Sequence, residues 1–361
     1  MKFKSKFRKP RHPLGLFLFW LMACHLWVGC RTETSAPSFP TSPQGSATAD
    51  FTPSPISAEL TARSTPGGVE LRLPWPPQHL WRGHGEHGAL FQPVEVPLGG
   101  DPKKALVLDR EVPDGTLLHY QAVSADGRQL SASLTSQPRE LPKLRSPRLM
   151  VDKRTYVLTV FDGDEVVKRY RIGLGADPSK RKICQDNQTT PEGLYTIINL
   201  QPQATFHRAY DLNYPNEVDR IRYTLGQQNG LIPAGRDIGG EIQIHGLGSA
   251  GNWTFGCVSL DNPELDELFE QSALRTGTEV FLCGSEIRPG DRRWLRSPPR
   301  DSVAELQSRL QQRNFYQGAV DGSLGPATME ALGRYQLAEG LALTCQLDES
   351  TRRHLGWREG L

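Results

Sequence analysis

Runs of alternating apolar and polar residues, each broken by an Asp-Gly pair, recur along most of this chain and point to antiparallel β-sheet. Thr155–Phe161 and Val166–Ile172 flank Asp162-Gly163, and Leu117–Val123 and Leu130–Leu134 flank Asp126-Gly127. Side chains alternate faces along a strand, and Asp-Gly supplies the positive φ that a two-residue hairpin needs. The 35 glycines and 28 prolines among 361 residues argue against a helical bundle. A length of this order predicts two or three domains. The patterning divides accordingly. Residues 58–141 read as a small β-sandwich, with strands at Val69–Leu73, Ala105–Leu108, Leu117–Val123 and Leu130–Leu134. Residues 148–284 read as a mainly β domain with one or two helices. There Ile242–Ile244 is a strand running into His245, Asn262-Pro263 opens a helix with Leu265, Leu268 and Phe269 on one face, and Thr278–Cys283 is a closing strand. Residues 285–300 are basic and Pro-containing, which predicts a linker.

After Arg300 the period changes. Val303, Leu306 and Leu310 fall on one helical face, and Pro326 stands where a second helix begins. Ala327, Ala331 and Tyr335 form its apolar stripe. Asp348 can cap a third helix ending near Leu355. Residues 301–357 are therefore expected to form a three-helix domain.

At the other end, Lys2, Lys4, Lys6, Arg8, Lys9 and Arg11 precede an apolar stretch, Leu14–Val28, too short for a convincing membrane span. It closes on Gly29-Cys30, and residues 30–57 are rich in Ser, Thr, Pro and Ala, a flexible tether. Residues 1–29 read as a signal peptide. Export implies an oxidising compartment. Cys184, Cys283 and Cys345 could then supply at most one disulfide if Cys257 stays free; the spacing selects no pair. A formal net charge of +2 gives no reason to expect nucleic acid as a partner. His79, His84 and His87 cluster around a Gly-rich stretch read as a mobile loop, but their spacing fits no strong metal motif; no metal and no cofactor is expected.

The chemistry concentrates at Ile242-Gln243-Ile244-His245-Gly246 and Trp253-Thr254-Phe255-Gly256-Cys257-Val258-Ser259-Leu260. A thiol becomes a nucleophile when a base or cation lowers its pKa, and an imidazole nearby is the usual means. A glycine turn leaves backbone N–H groups to hold an oxyanion. Three other readings compete: a buried structural cysteine beside a core histidine, a zinc site from His245, Cys257 and Cys283, and a papain-like protease. No close ligand pair supports the zinc site. The protease order would place Cys before His, the reverse of this chain.

The His-Gly and Ser/Thr-x-Gly-Cys segments resemble the signature of the L,D-transpeptidase (YkuD-type) catalytic family, and the resemblance extends through Thr190-Pro191-x-Gly193-x-Tyr195 and Leu212-Asn213-Tyr214-Pro215-Asn216. It implies a YkuD-like β-sandwich with short helices. It further implies Cys257 as nucleophile, His245 as general base and acid, the Gly246 carbonyl orienting the histidine, and the Gly256 backbone in the oxyanion hole. Trp253, Thr254, Phe255 and Ser259 are the implied substrate contacts. Phe255 stands where many members carry His, and Ser259 where many carry Arg or Asn.

The segment from Leu306-Gln307 through Asp321-Gly322, Gly325-Pro326 and Tyr335-Gln336 resembles the three-helix peptidoglycan-binding domain, with Cys345 at a place usually held by Gly. Pro113-Asp114-Gly115 and Tyr120-x-Ala122-Val123 resemble fibronectin type III, and Leu26–Cys30 resembles a lipobox with Trp27 in place of the usual Leu. Together these imply an envelope protein lipid-anchored through Cys30. It would form a cysteine acyl-enzyme with peptidoglycan stem peptides, pass it to an amine, and be open to inhibition by carbapenems. A hydrolase on the same peptides, or an inactive wall-binding lipoprotein, are the alternatives.

Overall fold

The computed structural model describes residues 59–84, 91–98 and 105–357. The expected signal peptide, lipidated Cys30, the tether and His87 lie outside them.

Among the described residues, seven strands form the first domain. β1 (Thr61–Thr65), β2 (Gly68–Arg72) and β5 (Leu106–Asp109) make one antiparallel sheet; β4 (Phe91–Glu95), β3 (His79–His84), β6 (Leu117–Val123) and β7 (Gln129–Thr135) make the other. Val69, Leu71 and Val107 from the first pack with Leu80, Leu118 and Ala122 from the second. Inside this core the Arg82 guanidinium donates to both carboxylate oxygens of Asp109 (2.9 and 2.8 Å), and the Tyr120 hydroxyl donates to the same carboxylate (3.0 Å). These residues sit on β3, β5 and β6, so the buried charge pair ties the two sheets together. His79 and His84 belong to β3, not to a mobile loop. His79 pairs with Glu95 at 2.8 Å, while His84 is buried, and burial with the neighbouring Arg82 charge pushes its pKa down to about 3.

The second domain has eight strands in the order β10-β9-β8-β15-β11-β12-β13-β14. They are β8 (Pro147–Asp152), β9 (Val157–Asp162), β10 (Glu165–Arg171), β11 (Gly193–Ala204), β12 (His207–Leu212), β13 (Gln243–His245), β14 (Val258–Ser259) and β15 (Glu279–Cys283). β11 pairs with β15 through Gly193–Thr196 and with β12 through Ile197–Ala204, with register shifts along the second stretch. One long strand thus belongs to two layers. A bridge between Gly173 and Ser259 joins the two ends of the strand order. The layers enclose Leu149, Val151, Leu158, Tyr170, Tyr195, Ile197, Ile244, Val258 and Leu282. The strand expected to close the domain, β15, lies instead in the middle, parallel to β8. Two helices complete it, α1 (Glu217–Gln228), capped by Asn216, and α2 (Asn262–Gln271). The N-cap of α2 is Asp261, one residue earlier than the sequence suggested, because the Asn262 side chain is used elsewhere (below).

The segment expected as a linker, 285–300, is built into the fold. The buried Glu192 carboxylate accepts from the peptide N–H groups of Ser285 (3.2 Å), Glu286 and Ile287 (both 2.9 Å), and from Lys153 Nζ at 3.0 Å. A 3-10 turn (Pro289–Asp291) and α3 (Arg292–Arg296) follow. Asp291 is buried against Arg352 at 2.8 Å, and Trp294 is buried beside Trp357.

Then come α4 (Arg300–Gln312), α5 (Pro326–Ala338) and α6 (Glu349–His354), the expected three helices. Leu306, Leu310, Leu332, Tyr335 and Leu355 form their core. Ala327 is exposed; Thr328 and Leu332 take the inward positions. This domain rests against the second one: Leu225 of α1 packs with Leu343 and Cys345, and Arg222 and Arg181 donate to the carbonyls of Thr344 (2.7 Å) and Leu343 (2.8 Å). Cys345 does adopt a positive φ, 53°, as its glycine-like place implied.

Candidate active site

β13 and β14 run parallel, with Ile244 opposite Val258 and His245 opposite Ser259. Ile244 and Val258 point into the core. The alternation therefore sends Gln243, His245 and Cys257 to the other face. Strand spacing and rise put the His245 and Cys257 backbones about 8 Å apart on the diagonal.

The turn before Cys257 is held from inside. The Thr254 N–H donates to Leu174 O (3.1 Å), its hydroxyl donates to Cys257 O (2.7 Å), and the same hydroxyl accepts from the Gly256 N–H (3.2 Å). Gly256 has φ +131°, and a Cβ there would meet Thr189 O at 2.6 Å. Only glycine fits. Two corrections follow. Thr254 is buried and shapes the turn; it does not face substrate. The Gly256 N–H is already bonded to Thr254, so it is not the free oxyanion donor that the sequence suggested.

His245 is buried, and its Nδ1–H donates to Gly246 O at 2.8 Å, which leaves Nε2 as the basic nitrogen. This is the partner the sequence implied. The ring lies against Phe206 (centroids 4.8 Å apart) and the edge of Trp253 (5.5 Å). Burial lowers the imidazole pKa, and the Gly246 bond acts against that shift. The loop after it is pinned from α2. Asn262 Oδ1 accepts from Leu247 N (2.8 Å) and Asp261 Oδ1 from Ser249 N (2.9 Å). A Cβ on Gly246 would meet Asn262 Oδ1 at 2.5 Å.

Cys257 Sγ accepts from the Gln243 N–H at 3.4 Å and lies 3.5 Å from Glu241 O. Burial pushes the thiol pKa up, while the Gln243 N–H and the Lys182 ammonium pull it down. Both shifts favour the neutral thiol and imidazole over a thiolate–imidazolium pair. Lys182 is the residue that sequence reasoning missed. Its side chain is buried, and Nζ donates to Phe255 O at 3.5 Å, two residues from the thiol. In sequence it is one of four consecutive polar or basic residues, Ser179–Lys182, with no signal to separate it from a solvated run. Phe206, from the β11–β12 turn, was equally unmarked.

Leu247, Trp253 and Phe255 are 54, 42 and 65% exposed and form an apolar rim. Trp253 and Phe255, two of the implied substrate contacts, are therefore open to solvent. Ser259 is not: it is fully buried under Gly173, where a Cβ would meet its hydroxyl at 2.5 Å. Cys184, Cys257, Cys283 and Cys345 are all free thiols. Among the described residues no group of three or more His, Cys, Asp or Glu could hold a metal.

Residues 146–282 match the L,D-transpeptidase catalytic domain family, and residues 299–355 the peptidoglycan binding domain family. Solved structures overlap the chain in part. An L,D-transpeptidase from Xylanimonas cellulosilytica shares 17% identity over 42% of this chain and 65% of its own, with a TM-score of 0.27. One from Stackebrandtia nassauensis shares 14% over 42% and 60%, at 0.27. An L,D-transpeptidase in complex with imipenem shares 10% over 63% and 100%, at 0.25. The chain thus spans 60–65% of the length of the first two. No curated protein matches the chain. Within the matched residues, His245 ends β13 and Cys257 immediately precedes β14, the two short parallel strands at one end of the strand order.

Proposed function

We propose that the protein is a cell-wall L,D-transpeptidase that forms a thioester on Cys257 from a peptidoglycan stem peptide. The observation that carries this is the His245 ring: its Nδ1–H is committed to Gly246 O, so Nε2 is left to accept the proton of a thiol placed on the same sheet face. His245 Nε2 takes the Cys257 proton as Sγ attacks the amide carbonyl. The C–N bond then breaks, the imidazolium protonates the leaving amine, and the acyl group stays on sulfur. An acceptor amine attacks the thioester, gives its proton to His245, and releases the thiol. With the Gly256 N–H bonded to Thr254, the oxyanion falls to the Cys257 peptide N–H, an interaction of a kind worth about 3 kcal/mol. Lys182 supports the charge on sulfur as it develops. The rim of Trp253, Phe255 and Leu247 receives the substrate's apolar side.

On this reading the three-helix domain holds the wall. Its docking through Arg222, Arg181 and the Glu192 cluster keeps it in place against the catalytic domain. The sequence of residues 1–57 further supports an envelope location with lipid on Cys30. The test is incubation of full-length protein with purified tetrapeptide stems and mass analysis of the products. Cross-linked dimers are expected, and both His245→Ala and Cys257→Ala should abolish them without additive losses. Hydrolysed stems alone would make the protein a hydrolase, and unchanged stems would refute catalysis.

A further inference from the structure

A second concave site lies away from Cys257. It is a cavity of about 430 Å³ bounded by the start of β8, the β9–β10 turn, the turn before β15, and α3. Five guanidinium groups line it, from Arg145, Arg148, Arg275, Arg292 and Arg296, against only two carboxylates, Asp164 and Glu279. That local excess is larger than the net charge of the whole chain, +2.

Both carboxylates are already engaged. Glu279 takes Arg292 Nε at 2.5 Å and Arg296 Nε at 3.2 Å, and Asp164 takes Arg148 Nη2 at 3.2 Å. Arg145 and Arg275 are exposed and have no ion partner among the described residues. Nor is this merely a solvated basic face. The side chains of Arg148 and Arg292 are only 14 and 17% exposed, and Arg148 is pinned 3.9 Å over the Phe161 ring with Nε on Gly163 O at 2.8 Å. Burial, and then the Arg292 charge, lowers the Arg148 pKa, so the guanidinium groups feel one another across the cleft. Gathering like charges costs free energy, and that cost is offset when an anion enters.

We propose that this cleft binds a phosphodiester-linked polyanion, its successive phosphates taken by Arg145 and Arg275 at the mouth, above a floor where Arg148 and Arg292 are held by Asp164 and Glu279. Guanidinium forks match phosphate oxygens in bidentate geometry, and several forks around one cavity favour a chain of phosphates over a single ion. The concave shape favours a threaded soluble chain over a flat lipid surface. None of these residues belongs to the proposed catalytic machinery, so the inference stands apart from the proposed function.

The test is titration calorimetry of the full chain with a short glycerol-phosphate oligomer, with inorganic orthophosphate and anionic phospholipid vesicles as comparison arms. The oligomer should bind at about 0.05 M salt and weaken strongly by about 0.5 M, as expected when screening shortens the reach of charge. Orthophosphate should bind more weakly. The double variant Arg145→Glu/Arg275→Glu should bind the oligomer at least tenfold more weakly, with unchanged circular dichroism and unchanged Cys257 alkylation. No binding at low salt, equal binding by the double variant, or binding to vesicles alone would each overturn the proposal.

Discussion

Glu192→Gln is the substitution whose cost the structure defines most fully. The carboxylate and the Lys153 ammonium are both inaccessible to solvent, and the carboxylate accepts from Lys153 and from three peptide N–H groups of residues 285–287. Gln keeps the shape but removes the charge, leaving Lys153 buried without its counterion. Breaking a buried pair from one side costs about 3–5 kcal/mol. At roughly 2–4 °C per kcal/mol for a domain of this size, melting should fall by about 10 °C. The pH dependence is specific. Burial alone would raise the Glu192 pKa, but Lys153 and the N–H groups of Ile287 and Glu286 outweigh it and hold the folded value below the ordinary glutamate range. A depressed carboxylate pKa gives stability that is fully present above the unfolded value and is lost as pH falls through the folded one. Wild type and variant should therefore differ at pH 7 and converge in acid. Scanning calorimetry of both proteins across that range reads this directly. Lys153→Met/Glu192→Gln, which removes both charges but keeps an acceptor for the N–H groups of residues 285–287, should recover part of the loss. A variant that melts within about 2 °C of wild type at pH 7, or that keeps the same deficit in acid, would refute the reasoning.

Two further predictions concern the active site. Gly256→Ala sets a Cβ 2.6 Å from Thr189 O at φ +131°. Displacing the thiol by about 1 Å should cut acylation about a hundredfold, measured with a thiol-reactive stem analogue; near-wild-type rates would show that the turn can yield. Lys182→Met should move the alkylation profile of Cys257 to higher pH, because the remaining influences on the thiol are dominated by burial, which raises its pKa. Lys182→Arg should return it part-way. An unshifted profile would leave Lys182 as a turn anchor through Phe255 O alone.

The strands and helices were legible because local pattern carries them. Asp162-Gly163 and Asp126-Gly127 do turn hairpins, Leu306 and Leu310 do face a core, and Val303 is buried. His245 and Cys257 stood out because each is next to glycine in one short stretch, and the resemblance implied the Gly246 carbonyl that His245 bonds. What was not legible depends on distant partners. Residues 285–300 read as a linker because their order comes from Glu192, more than 90 positions earlier. Lys182 and Phe206 reach the site only once β11, β12 and the 182–189 segment are folded around it. The resemblance implies Thr254 and Ser259 as substrate contacts, but neighbours in sequence alternate between surface and interior. Thr254 turned in to hold the turn, and Ser259 was covered when Gly173 bridged the two ends of the sheet.

The central claim is that Cys257 carries the acyl group. Intact-mass analysis of the full chain after exposure to a tetrapeptide stem or to imipenem, followed by peptide mapping, tests it most directly. The account predicts one acyl adduct, on the peptide containing Cys257, absent from Cys257→Ala and strongly slowed in His245→Ala. No adduct, or an adduct on Cys184, Cys283 or Cys345, would contradict it.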